Sequence, residues 1–198
     1  MSNSIHIESP LHHAQLEQLI DQSSTSGIVF HEKKLLGHLN LRGNCDDAEF
    51  LAGVQAVLGL ALPIRPCSSA LSDDTQIMWL APDEWLIIVA SGTETDVEQK
   101  LRGALKGHFA VSDISGAQTL LELSGHDVVD LMKKSTGYDL HLENFPVGKV
   151  IGTTFAKAGA HILRVSEDKF QLIVRRSFSD YIWLWIQHGS QEYGLSIV

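Results

Sequence analysis

Arg175-Arg176-Ser177 holds two guanidinium groups where a strand gives way to a helix. Arginines beside a helix N-terminus can hold an anion such as a carboxylate or phosphate, because the planar fork and the unpaired backbone N–H groups favour negative charge. The plainer expectation is a salt bridge to a carboxylate of this chain or of a neighbour. Asp113-Ile-Ser115 is the best-placed acid. At a strand end, Asp113 can accept hydrogen bonds from the backbone at Ser115, which is turn chemistry, or it can meet a ligand. Turn chemistry is the stronger reading, and stronger still for Asp83-Glu84 behind Pro82. The ten histidines are scattered. The His12-His13 pair has no carboxylate or thiol at ligand spacing, and Cys45 and Cys67 have neither metal nor redox spacing. No glycine-rich phosphate loop, nucleophile elbow or zinc-binding His-Glu-x-x-His occurs. The residues therefore define no self-sufficient catalytic centre, and no metal is expected.

Composition narrows the partners. A net charge of −9 argues against nonspecific nucleic-acid binding and against an anionic membrane surface, both of which call for a basic face. The start, Met1-Ser-Asn-Ser-Ile, has no basic and apolar leader pattern, and no apolar run approaches the ~20 residues of a membrane span. A cytoplasmic location with two free thiols is the expectation.

The elements that must position these groups are organised around Trp79-Leu-Ala-Pro-Asp-Glu-Trp-Leu-Ile-Ile-Val-Ala90. Pro82 and Asp83 make a turn, so Gln76–Leu80 and Trp85–Ala90 form a hairpin. The unbroken run Leu86-Ile87-Ile88-Val89 predicts a central strand covered on both faces. Before it, residues 1–34 read as a peripheral arm. Leu11, Leu16, Leu19 and Ile20 fit a short amphipathic helix there, and the polar cluster from Gln22 to Gly27 breaks it. Gly37–Gly43 alternates as a half-buried strand. Asp46 or Asp47 caps the next helix, which carries Phe50, Leu51, Val54, Val57 and Leu58 inward and ends at Gly59. A further helix opens near Thr93 with Val97, Leu101, Ala104 and Leu105 as its inward stripe. The last helix runs from Phe178 to about Gln191. On it Trp183 and Trp185 lie on different faces; with Trp185 in the core, Trp183 is left toward solvent or a partner subunit and is the candidate interface residue.

The second half repeats the first. Leu39-x-Leu41-x-Gly43 recurs as Leu121-x-Leu123-x-Gly125. Pro63 recurs as Pro146, and Asp83-Glu-Trp-Leu-Ile-Ile-Val recurs as Asp168-Lys-Phe-Gln-Leu-Ile-Val, each at nearly the same distance along the chain as the first pair. Three landmarks in one order and at a near-constant offset predict an internally duplicated α+β fold. Its units are strand–helix–strands–helix with mostly antiparallel sheets, residues 35–107 forming one repeat and 108–198 the other.

Five segments carry a family resemblance: Trp79-Leu-Ala-Pro-Asp-Glu-Trp-Leu, Val111-Ser-Asp-Ile-Ser115, Leu123-Ser-Gly125, Phe145-Pro-Val-Gly148 and Arg176-Ser-Phe-Ser-Asp-Tyr181. Together they resemble the gamma subunits of heterotetrameric sarcosine oxidases, from about residue 35 to the end. The resemblance implies a fold like the folate-binding domain of glycine-cleavage aminomethyltransferase, without that enzyme's C-terminal barrel. It also implies a role in a bacterial complex that oxidatively demethylates sarcosine with oxygen and tetrahydrofolate, giving glycine, hydrogen peroxide and methylene-tetrahydrofolate. In that family FAD, covalent FMN and NAD belong to the alpha and beta subunits and zinc to delta. The gamma chain is expected to hold no cofactor and to pack on alpha. The runner-up is a folate- or carboxylate-binding module using Arg175, Arg176 or Asp113. A stand-alone enzyme akin to iron–sulfur maturation factors ranks last, since the characteristic C-terminal cysteine has no counterpart after Cys67.

Overall fold

The computed structural model describes residues 7–20 and 26–198; residues 1–6 and 21–25, and with them most of the polar cluster from Gln22 to Gly27, lie outside the described residues. The first repeat runs β1 (Ile28–Lys33), β2 (Gly37–Arg42), α1 (Ala48–Leu58), β3 (Ser69–Leu71), β4 (Thr75–Ala81), β5 (Glu84–Val89) and α2 (Glu94–Ala104). The second runs β6 (Ala110–Asp113), β7 (Gln118–Ser124), α3 (Val128–Ser135), β8 (Val150–Phe155), β9 (Ala158–Ser166), β10 (Lys169–Arg175) and α4 (Ser179–Gly189), followed by β11 (Leu195–Ile197).

Local chemistry accounts for the boundaries. The Asp47 carboxylate accepts hydrogen bonds from the Glu49 and Phe50 N–H groups at the start of α1, meeting two donors the helix cannot. Gly59 ends that helix at φ +69°, a left-handed conformation that side chains resist. Pro82-Asp83 turns β4 into β5. The latter lies between β4 and β2 with Trp85 through Val89 all buried, as its continuous apolar run requires.

The strand orders reveal how the repeats join. The smaller sheet is β3-β4-β5-β2-β6 and the larger is β8-β9-β10-β7-β1-β11. Each sheet is thus one repeat's four strands joined by the first strand of the other repeat, with β11 added beyond β1 in the larger: β1 pairs antiparallel with β7, and β6 with β2. Only β1 and β11 pair in parallel among the named strands. The α+β duplication with mostly antiparallel sheet is therefore the observed fold, but the repeats are interlocked by exchanged strands. A cut at 107/108 would separate neither sheet cleanly.

Three apolar clusters place the layers. Leu39, Leu41, Trp85 and Ile87 pack under α1 and α2; Phe30, Leu121, Phe170 and Leu172 pack under α3 and α4. Between the sheets lie Met78, Leu86 and Ile88 from one and Leu120, Leu163 and Ile173 from the other. The order is helices, sheet, sheet, helices.

Four expectations are corrected. Residues 28–33 are no part of a peripheral arm: Ile28 and Phe30 are fully buried in β1, because strand alternation turns both toward the α3–α4 core. The N-terminal amphipathic helix is two single 3₁₀ turns, His12–Ala14 and Leu16–Gln18, with Leu11 and Leu16 buried and Leu19 and Ile20 exposed. In α2, Ala104 is exposed, and Leu105 beyond the helix takes the inward place. Trp183 is 3% exposed and sits beneath the helix with Ile182 and Ile186, so it is not an interface residue. Trp185 is the half-buried one, its indole N–H donating to Ser135 Oγ at 2.9 Å. One residue along a helix is a rotation of about 100°, so the orientation of the whole stripe decides which tryptophan is buried.

Candidate functional site

Strand exchange forces two crossings between the sheets at one place, Lys34-Leu35-Leu36 leaving β1 and Ile114 to Ala117 leaving β6. They are stitched together by a compact set of bonds. Ile114 N–H donates to the His38 carbonyl at 2.8 Å, and the His38 N–H donates to Ser115 Oγ at 3.0 Å. Ser115 in turn donates from its hydroxyl and its backbone N–H to Asp113 Oδ1, at 2.5 and 2.9 Å. The Asp113 carboxylate is thereby occupied as an Asx turn, as its Asp-x-Ser spacing predicts.

Beside this knot is a cleft of about 250 Å³, lined among others by Leu36, His38, Ser115, Gln118 and Arg176. The His38 ring, 1% exposed as a residue, lies 3.4 Å from Gln118 Oε1. Burial holds this imidazole below its ordinary protonation range, opposed by the Gln118 contact and the Asp113 charge, so its neutral form is favoured. Arg176 is exposed and its Nη2 lies 3.5 Å from the Glu8 carbonyl. Glu94, at the first position of α2, brings a buried carboxylate oxygen without a hydrogen-bond partner to the same cleft.

Arg175 goes elsewhere. It borders a separate recess of about 300 Å³ with Gly152, Gly159 and His161, and only Gln118 lines both recesses. The two guanidiniums accordingly do not converge, and Asp113 lines neither recess. A third, larger cleft of about 850 Å³ lies at the far end of the smaller sheet against Arg42, Cys45, Asp83 and His108. Arg42 there pairs with Asp83 at 3.0 Å, while Glu84 accepts from Asn40 Nδ2 at 2.7 Å, so both acids of the hairpin corner are structural. No group of three His, Cys, Asp or Glu side chains among the described residues could hold a metal ion. Residue chemistry alone does not single out His38 or Gln118, because each is simply the polar member of an alternating strand; the crossing makes them neighbours.

The arrangement can bind a small polar group; the Ser115 hydroxyl is engaged in the turn, donating to the Asp113 carboxylate and accepting from the His38 N–H. Among the described residues no helix is long and apolar enough to cross a membrane.

Comparison with known proteins supplies the context. Residues 42–192 match the model of the sarcosine oxidase, gamma subunit family. Sarcosine oxidase subunit gamma of Corynebacterium sp. (strain P-1) is 32% identical over 188 residues, covering 93% of this chain and 90% of that one. The Arthrobacter sp. subunit gamma is 30% identical with the same coverage. A chain of the heterotetrameric sarcosine oxidase from Corynebacterium sp. U-96, solved with pyrrole 2-carboxylate, superposes with a TM-score of 0.83 at 25% identity, covering 97% of this chain and 98% of that one. The glycine cleavage system aminomethyltransferase T of Bartonella henselae superposes at 0.70 with 12% identity, over 96% of this chain and 58% of that one, which is a likeness of fold alone.

Proposed function

Because the chain belongs to the sarcosine oxidase gamma subunit family, we propose that it is the gamma subunit of a flavin-dependent heterotetrameric sarcosine oxidase, supplying shape and contacts and leaving the reaction to its partners. The observation that carries this reading is the superposition over 97% of this chain and 98% of a chain from such a heterotetramer. The side-chain chemistry supports it. Asp113 is committed to a turn, Asp83 to an ion pair with Arg42 and Glu84 to a hydrogen bond from Asn40, and Arg175 and Arg176 face different recesses. In this reading the chain packs directly on the alpha subunit within an alpha-beta-gamma-delta complex, and FAD, FMN, NAD and zinc reside in the other subunits. Co-expression of a tagged chain with alpha, beta and delta subunits should recover all four at equal stoichiometry, with sarcosine turnover in the complex and none in the isolated chain. Alpha and beta that never co-elute with the tagged chain would overturn the assignment.

A second reading is favoured by the crossing cleft itself. A folate or another carboxylate could lay its anionic group against Arg176, with the neutral His38 beside it. Calorimetry with tetrahydrofolate decides between the readings: saturable heat that disappears in Arg176→Ala supports a binding module, and no heat up to millimolar ligand excludes one in the isolated chain.

A further inference from the structure

A duplicated fold carries its own control, since each position in one repeat can be compared with its counterpart. Helices α2 and α4 occupy equivalent outer layers, and the register that matches Asp83 with Asp168 matches the inward residues Val97 and Leu101 with Ile182 and Ile186. In the same register the outward residues Thr93, Asp96 and Gln99 match Phe178, Tyr181 and Leu184. The first set is polar and exposed, and its helix is laced by the ion pairs Asp96–Lys100 and Glu98–Arg102, both 2.7 Å. In the second set Phe178 is 43% exposed, Tyr181 36% and Leu184 56%. A solvated helix face has no physical use for three large apolar side chains at i, i+3 and i+6, and the sister helix shows that the fold does not require them. Ile64 and Val147 provide the contrasting case. Each follows an equivalent proline, and they are exposed to 54% and 53%, so that pair belongs to the shared unit rather than to one repeat.

The occupant follows from charge and from the family. Two copies of this chain would each carry a net charge of −9, and that overall repulsion disfavours self-association. The superposed relative comes from a heterotetramer, so chains of other composition are at hand. We propose that Phe178 at the N-cap of α4, with Tyr181 and Leu184 on the outer face of that helix, is the site at which another subunit of the oxidase docks, presenting an apolar surface of less acidic charge. This rests on the gamma-subunit reading and adds to it which face is covered.

The test uses the tagged chain co-expressed with alpha, beta and delta. Leu184→Asp combined with Tyr181→Asp should lower recovery of the other subunits by at least about tenfold, as expected for the centre of an interface. Gln99→Asp on the sister helix should leave recovery unchanged. Hydroxyl-radical footprinting of wild type covers the case in which the double variant misfolds: oxidation of Phe178, Tyr181 and Leu184 should fall when the full chain is compared alone and in the oxidase. Full recovery with the double variant overturns the docking site while leaving the gamma-subunit reading intact, and so does unchanged footprinting. A wild-type chain that recovers no other subunit overturns both. A concentration-dependent dimer of the isolated chain, abolished by Leu184→Asp, overturns the proposal in favour of self-association.

Discussion

The ring of Trp183 lies 4.8 Å from that of Phe30, centroid to centroid, joining the last helix of the second repeat to the first strand of the first. Phe30 is fully buried and Trp183 almost so. The contact exists because β1 has crossed into the larger sheet, where its inward side chains meet α4 rather than α1 or α2. The aromatic pair therefore locks the exchanged strand in place, and it links residues far apart in the chain.

Truncating either ring should be costly. Phe30→Ala and Trp183→Ala should each destabilise by about 3–5 kcal/mol in urea denaturation. The double variant should lose less than the sum, since both remove the same contact. Strict additivity would show that the pair contributes nothing beyond separate burial.

Trp85 anchors the other core in a different way. It is fully buried, and its indole N–H donates to the Pro63 carbonyl at 2.8 Å, tying the hairpin to the loop after α1. Trp85→Ala should cost about 3–5 kcal/mol. Trp85→Phe keeps most of the apolar area but leaves that carbonyl unpaired, and should cost about 1–3 kcal/mol. A melting curve unmoved by Trp85→Ala would refute its place in the core.

Much of this architecture is legible in the residues. The Pro82-Asp83 corner, the Asp47 cap, the Gly59 stop and the central position of β5 all follow from local chemistry. So does the Asp113–Ser115 turn. What stays hidden depends on distant partners. The alternation Ile28, Phe30, Glu32 is a strand signal, but its third inward residue is a carboxylate and its partner β7 lies in the other repeat. Strand exchange leaves no local trace, because β1 and β6 need the same residue pattern whichever sheet they join. The face of α4 is decided by Phe30, so Trp183 and Trp185 cannot be told apart from their spacing. Of the candidate anion site only Arg176 reaches the crossing cleft; His38 and Gln118 arrive there through topology.

Glu32 should control the N-terminal segment. Its carboxylate, on a residue 2% exposed, accepts from Ser9 Oγ at 2.9 Å and from the Leu11 N–H at 3.1 Å, while Leu11 is buried against the larger core. Glu32→Ala should release residues 7–18 to limited proteolysis while the sheets stay protected. Equal cleavage rates in variant and wild type would show that Leu11 and Leu16 hold the segment by packing alone.

Stability should fall on mild acidification. His38, His161 and His31 all titrate below the ordinary 6.5, each chiefly because burial penalises the charged ring; the Gln118 contact and Asp113 oppose this at His38, Glu84 opposes it at His161, and Lys33 adds to it at His31. With the folded values depressed, the unfolded chain binds more protons just below pH 6.5. The stabilisation is therefore complete above that pH and is lost as pH falls toward the folded values. Glu122 acts lower, below 4.5. Burial alone would raise its value, but the Gln171 amide with Lys33 and Lys169 outweighs burial and holds it down. Urea midpoints should drop from pH 8 to pH 5.5, and less steeply in His38→Gln. A midpoint independent of pH across that range would mean that these rings are solvated in the folded chain.

Arg164 offers the sharpest test of a buried charge. The residue is 3% exposed, and among the described residues its guanidinium donates only to carbonyls: Leu140 and Phe145 at 2.8 and 3.1 Å, Glu167 at 2.6 Å and Ser166 at 3.3 Å. It also lies 5.0 Å from the Phe170 ring. Burial pulls its pKa down, offset in part by Glu167, yet arginine stays protonated at any ordinary pH. A planar fork can serve several carbonyls at once, which an ammonium on a flexible stem cannot. Arg164→Lys should therefore destabilise by about 2–4 kcal/mol although it conserves charge, since it leaves a buried cation poorly met. Arg164→Met should cost a similar amount through the unpaired carbonyls, and hydrogen exchange should quicken across the loop between α3 and β8 in both. A lysine variant as stable as wild type would show that charge alone, not the fork, holds that loop.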